Sequence, residues 1–324
     1  MTKLLAWIIA GVTGGTPLLY GTAGEILTEK SGNLNLGVEG LMYMGGAFGL
    51  VGVYYYGQVG TSGPVAILVG ILCAFLAGAL GALIFAFLTI TLRANQNVTG
   101  LALTILGTGV GQFVGDYMQV KVGGYVAVPA GLKDSFYQSP FPQALQDLPV
   151  IGKLFFGYSI FVYLGLVMAI AMGIWMKRSR TGMNLRAVGE SPATADAAGI
   201  GVTRYRYLAT IIGGGISALG GMVYVMVNAS GVWNQTGLSG LGWLAVALVI
   251  FVLWKPISTL WGSVVFGVLT IMYLRISIPF IPNQLYQILP YVVTVIVLIM
   301  VSMRQKRENQ PPASLGLNYF REER

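Results

Sequence analysis

The chain has 324 residues, 55% of them hydrophobic and only 9% charged, with a formal net charge of +8. That balance, with a mean hydropathy of +0.74, describes an integral membrane protein. The absence of histidine removes the commonest metal ligand and proton shuttle, and the lone Cys73 excludes a disulfide framework.

A helix needs about 20 apolar residues to cross a hydrocarbon core of about 30 Å. The apolar runs here have that length, and the short alternating segments of a membrane barrel are absent. The first residues, MTKLLAWIIAGVTGG, place a lysine before an apolar stretch as a signal peptide does. The stretch continues through Leu19, so it reads as an uncleaved first helix. Residues 4–13 are too short to cross alone, and 16–29, TPLLYGTAGEILTE, are short and polar for a span. The start is therefore open between an interfacial 4–13, giving nine spans, and a short tenth span. Further spans are predicted at 34–54, 64–92, 98–119, 158–176, 207–228, 238–254, 257–275 and 286–303. The fold class expected is an all-α polytopic membrane protein of about nine (8–10) transmembrane helices.

Six Lys/Arg fall in 177–206 and five in 304–324, as in segments kept in the cytoplasm. The basic balance thus reports topology, not a nucleic-acid partner. With those segments inside, Arg93 and Lys255 also lie inside, and the proline-rich 120–157 is a long external loop. Residues 1–303 form one transmembrane domain, followed by a cytoplasmic tail, 304–324.

The stretch SGNLNLGVEGLM, residues 31–42, is unusually polar between two apolar runs. It is echoed by SGVWNQTGLSGLGW, 230–243. Ser31-Gly32 falls on Ser230-Gly231, Asn35 on Asn234, Gly37 on Gly237, Gly40-Leu41 on Gly240-Leu241, and Tyr43 on Trp243. By the assigned topology the two stretches enter from opposite sides, the signature of an inverted repeat with broken helices. Asn33 to Gly40 is read as an unwound stretch, with Gly45 and Gly46 serving close helix packing. Of the charged groups, Glu25, Glu29, Lys30 and Arg93 are expected at the cytoplasmic rim, and Asp116 and Arg275 at the outer rim. Glu39 lies deeper and must be paired or line a wet cavity. Candidate pathway residues are Asn33, Asn35, Glu39, Tyr43, Asn234, Gln235 and Trp243.

GEILTEKS, 24–31, approaches a G-x-x-x-x-G-K-S/T phosphate loop, but Glu29 stands where the second glycine must be and would repel phosphate. No Ser-His-Asp set, metal cluster or catalytic carboxylate pair can be assembled, so no enzymatic activity is expected. The segment GESPATADAAG, 189–199, carries the most specific signal. Ser191 suits a helix cap, Pro192 its first turn and Gly199 its end. A short capped helix facing the cytoplasm suits docking of a soluble partner.

GESPATADAAGIGV resembles the coupling loop of permease subunits of ATP-binding-cassette importers. EKSGNLNLGVEGLM, TLRANQNVTGLALTILG (91–107) and WLAVALVIFVLWKPISTLWGSVVFG (243–267) resemble the nucleoside-type branch of the bacterial nucleoside, simple-sugar and branched-chain amino-acid permeases. The chain departs from that branch at Thr104, where asparagine is frequent, and at Gly240-Leu241-Gly242, where Gly-Arg-Gly is frequent. The resemblance implies a multi-pass subunit of the bacterial cytoplasmic (inner) membrane. Its implied partners are ATPase subunits, a second related permease forming a hetero- or homodimer, and an extracytoplasmic solute-binding protein. It implies no cofactor in this chain, since ATP and magnesium belong to the ATPase. Gly189, Glu190, Ala193, Ala195, Asp196, Ala197 and Gly199 would couple to that ATPase, while Arg186, Arg204 and Arg206 orient the loop and meet lipid head groups. The solute is left open among a nucleoside, a sugar, a purine base and a flavin. An ion-coupled secondary transporter with Glu39 as the ion-binding carboxylate stands as the rival class.

Overall fold

The computed structural model describes residues 3–272, 283–304 and 310–321. Among these the chain is helical, with only an isolated bridge between Ala127 and Val232 in extended pairing. The order is α1 (Lys3–Glu29), α2 (Val38–Val59), α3 (Gly63–Ala86), α4 (Gln96–Val122), α5 (Ala130–Tyr137), α6 (Gln143–Gln146) and α7 (Ile160–Arg178). Then come α8 (Arg180–Glu190), α9 (Pro192–Ala197), α10 (Val202–Val223), α11 (Gln235–Leu238), α12 (Leu241–Phe251), α13 (Thr259–Ile271) and α14 (Asn283–Arg304). Residues 63–91, 96–122, 160–178 and 202–228 are long and apolar enough to cross a membrane. Shorter apolar helices cover 235–251, 256–271 and 288–300. The final stretch of the expected 257–275 span, Arg275 included, lies outside the described residues.

The first element corrects the reading from sequence. Residues 4–13 and 16–29 are neither an interfacial piece nor two short segments, but one continuous helix with Pro17 inside it. Proline removes the N–H that would bond the carbonyl of Thr13, four residues earlier. The structure repairs this from outside: the Asn228 side-chain amide donates to the Thr13 carbonyl at 3.3 Å. The polar residues that made 16–29 look unlike a span face other helices instead of lipid. Thr22 donates to the carbonyl of Ala245 at 3.1 Å, and Ser217 donates to that of Gly21 at 3.0 Å. Glu29 accepts from the Trp254 indole N–H, and both Glu25 and Glu29 are buried. Of the two ordinary roles expected for rim carboxylates, snorkelling and structural pairing, these two take the second. They are enclosed where α1 meets the turns at 30–37 and 252–256.

α10 sits centrally, with α1, α2 and α3 packed around it. Its run IIGGGISALGG leaves room for such approach, because small residues let backbones touch without side chains between them. A Cβ on Gly45 of α2 would fall within 2.7 Å of three backbone atoms of Ala218 on α10, so that glycine serves packing, as expected. Beyond α10 the helix loosens into a π turn at Tyr224–Asn228 and then breaks. The predicted external loop reaches back to hold that break: Val128 N–H donates to Gly231 at 2.8 Å and Trp233 N–H to Val126 at 3.0 Å.

Candidate functional site

The two echoing stretches are both breaks, and they are built by the same local device. In the first, residues 30–37 leave the helix through Gly32, whose φ of 92° lies in the left-handed region. The Asn35 side chain then accepts the Gly37 N–H at 2.9 Å. In the second, Ser230 and Gly231 take positive φ, and the Asn234 side chain accepts the Gly237 N–H at 3.1 Å, capping α11. The asparagines that align in sequence thus each serve the glycine that aligns with its counterpart. The first break is shorter than predicted, because Val38 to Gly40 are already helical.

Glu39 joins the two breaks. It lies in the first turn of α2, 5% exposed. One carboxylate oxygen accepts from Gly240 N–H and the other from Gly242 N–H, both at 2.6 Å. Those are the orphan donors at the start of α12, where the helix dipole favours a negative charge. The partner of Glu39 is therefore a helix end, not a cation. Gly242 makes this possible: a Cβ there would lie 2.8 Å from a Glu39 carboxylate oxygen and closer still to its backbone. One turn along α2, Tyr43 donates to the Gln235 carbonyl at 2.7 Å, with Ser239 and Gln112 beside its hydroxyl.

The remaining sequence candidates divide by burial. Asn33 and Asn35 are fully buried, and Asn33 donates to Thr210 at 2.9 Å. Leu34 N–H is taken by Gln96 at 2.7 Å, Asn35 N–H by Glu25 at 3.1 Å, and the Leu36 carbonyl by Thr104 at 2.8 Å. The first break is a sealed turn whose backbone is satisfied by other helices. Asn234 is exposed, while Gln235 and Trp243 are half-buried. Around them the structure adds Gln112, Ser239 and Tyr291, which the reading from sequence missed. Gln112 carried a signal: a lone amide within a run that is otherwise apolar and glycine-rich.

In the loop expected to face the cytoplasm, α9 forms as the caps predict. Ser191 accepts the Thr194 N–H, Pro192 opens the helix and Gly199 leaves it at φ 80°. Ala195 packs with Val188 and Val202, whereas Ala193, Ala197 and Gly199 face outward. Residues 310–321 lie across this loop, a placement nothing in the charge pattern indicated. Ser314 N–H donates to Gly189 at 3.0 Å and Gly316 N–H to Gly32 at 3.1 Å. Asn318 donates to the carbonyl of Arg93 at 2.7 Å. Ala313 N–H reaches Glu190 at 3.4 Å, Tyr319 donates to Asp196 at 2.8 Å, and Arg321 pairs with Asp196 at 3.3 Å. Arg206 corrects the expectation that it meets lipid: it is 2% exposed and donates to Leu317 at 3.1 Å.

Residues 7–298 match the family described as the branched-chain amino acid transport system, permease component. The chain belongs to that family. This permease is 34% identical to the Haloferax volcanii protein named "Putative glucose ABC transporter permease protein TsgC13", over 97% of each chain. It is 33% identical to the guanosine ABC transporter permease NupQ of Bacillus subtilis, over 92% of each chain. It is 32% identical to the nucleoside ABC transporter permease NupC of Lactococcus lactis subsp. cremoris, over 94% of each chain. The permease is thus a transport subunit of the ABC class.

Proposed function

We propose that this permease is the transmembrane subunit of an importer that carries a nucleoside delivered by a solute-binding protein and driven by separate ATPase subunits. The observation that carries the importer reading is α9, a capped helix whose outward face is small residues, in a chain of this family. Two relatives named for guanosine and nucleoside transport support the solute. The site chemistry agrees with it: Tyr43, Trp243 and Tyr291 offer aromatic faces for a base, and Gln112, Asn234 and Gln235 offer amides for hydroxyl groups. A second permease would complete the passage against the exposed second break, and the opposed breaks support an inverted repeat of about nine spans. A sugar is the second reading, favoured by the glucose-named relative. The ion-coupled alternative loses its main support, since both Glu39 oxygens are occupied by backbone donors.

Uptake in proteoliposomes tests this. With the binding protein and ATPase supplied, labelled guanosine is expected to accumulate in an ATP-dependent way and glucose to fail to compete. Accumulation by the permease alone under an ion gradient would overturn the importer reading, and competition by glucose alone would overturn the solute. The coupling role has its own test. Replacing Glu190 or Asp196 by lysine is expected to cut uptake about tenfold while ATP hydrolysis persists. Unchanged uptake with unchanged ATPase association would remove α9 from the mechanism.

A further inference from the structure

A second site lies apart from the pathway, on the cytoplasmic side of the bundle. There the end of α7, the length of α8, the turn at 253–258, Lys30 and the segment after 310 enclose a cavity of about 890 Å³. Its lining has two distinct parts. The mouth is cationic: Lys30, Lys177, Arg186 and Lys255 all contribute, against Glu190 as the single acid. Lys30, Lys177 and Arg186 make no ion pair among the described residues. The wall is apolar: Met176, Met183, Leu253, Trp254, Pro256 and Ile257. Met183 and Ile257 remain 44% and 43% exposed.

Physical chemistry narrows what fits such a space. Three unpaired cations converging on one opening favour an anion, and each unneutralised charge near a low-dielectric wall raises the gain from meeting one. Lys30 feels this most: burial holds its ammonium below the usual lysine range, with Glu190 opposing and Arg186 adding to the shift. A small aqueous anion would leave the apolar wall facing water, at a cost proportional to the area left wet. An amphipathic anion covers both parts at once. Lys177 sits in the last turn of a helix long enough to span, which puts the mouth at head-group level on the side marked inside by basic residues.

We infer that this cavity holds the head group and upper chain of an anionic phospholipid of the cytoplasmic leaflet, with the phosphate among Lys30, Lys177 and Arg186. The occupant would touch Glu190 and Pro312. It would therefore bridge the α9 loop and the chain segment that straps it. The inference needs membership of the permease family and the membrane placement of α7, and is independent of the solute.

Native mass spectrometry of the full chain in detergent tests it, titrated with phosphatidylglycerol, phosphatidylcholine of the same chains, or inorganic phosphate. One phosphatidylglycerol is expected to bind at least tenfold more tightly than phosphatidylcholine. Lys177→Ala with Arg186→Ala is expected to abolish that preference, while Lys177→Arg with Arg186→Lys keeps it. Ile257→Asn, neutral but polar, is expected to weaken phosphatidylglycerol about tenfold through the wall alone, and Lys133→Ala, on the external loop, to leave it unchanged. Equal binding of the two lipids, or full binding by the alanine pair, would overturn the site. Phosphate competing as well as the lipid would make it a soluble-anion site and overturn the lipid assignment, as would Ile257→Asn binding like the wild type.

Discussion

The breaks at 30–37 and 229–240 share a residue pattern and an asparagine-to-glycine hydrogen bond, yet they are finished in opposite ways. The first is sealed: Asn33 and Asn35 are 0% exposed, and Thr210, Gln96, Glu25 and Thr104 on surrounding helices bond the Asn33 amide nitrogen and the backbone of residues 34–36, while Asn33 Oδ1 and Asn35 Nδ2 stay buried without a partner. In the second, Asn234, Thr236 and Ser239 stand exposed, and among the described residues the Asn234 side chain bonds only within its own turn. One motif therefore yields a rigid anchor or an accessible surface, according to what packs against it. Irregular backbone inside a membrane must be buried in protein or line a cavity; the first break is buried, and the second leaves Asn234, Thr236 and Ser239 exposed.

The comparison breaks first at Glu39, which ties the halves together. Glu39→Ala would leave the buried N–H of Gly242 and the half-buried N–H of Gly240 unpaired at the start of α12, costing about 3 kcal/mol, with bonds to charged groups at about 1.5–3 each. A large drop in melting temperature in detergent is the expected outcome. A variant melting with the wild type would mean that α12 does not depend on this contact. Asn35→Ala comes next, at about 1–2 kcal/mol, since the hydrogen bond it loses to Gly37 N–H is buried. Asn234→Ala should cost about 0.5 kcal/mol, because water replaces an exposed cap, while raising the apparent KM for uptake severalfold. Equal melting losses for the two asparagine variants would erase the distinction between anchor and surface. The smallest effect is expected from Ser239→Ala: within about 0.5 kcal/mol in stability, and visible only as a modest change in KM.

Local chemistry was legible in the sequence. Ser191, Pro192 and Gly199 announced α9 because capping needs only neighbours along the chain. The polar, glycine-rich composition of 31–42 announced a break for the same reason. What escaped depended on distant partners. Pro17, Thr22 and Glu25 look hostile to a span until Asn228, Ala245 and the turn at Asn35 are placed beside them. Glu39 was visible as a group needing a partner, but that partner is the backbone of glycines 201 and 203 residues away, which no side-chain pattern displays. The strap 310–321 was missed because its bonds are chiefly backbone and amide bonds to turns. Its ion pair, Arg321 with Asp196, falls on a residue already assigned to the loop.

Glu39 also bears on how the passage meets the membrane voltage. Moving one elementary charge through the field takes about 2.3 kcal/mol per 100 mV, so a free carboxylate beside the route would draw cations along with the cargo. On the proposed pathway the Glu39 carboxylate is instead held by two backbone N–H groups at the start of α12, so it is not free to bind a passing cation. On the importer reading proposed above, an uncharged solute passing there would carry no charge through the field, and the potential would contribute nothing to its uptake.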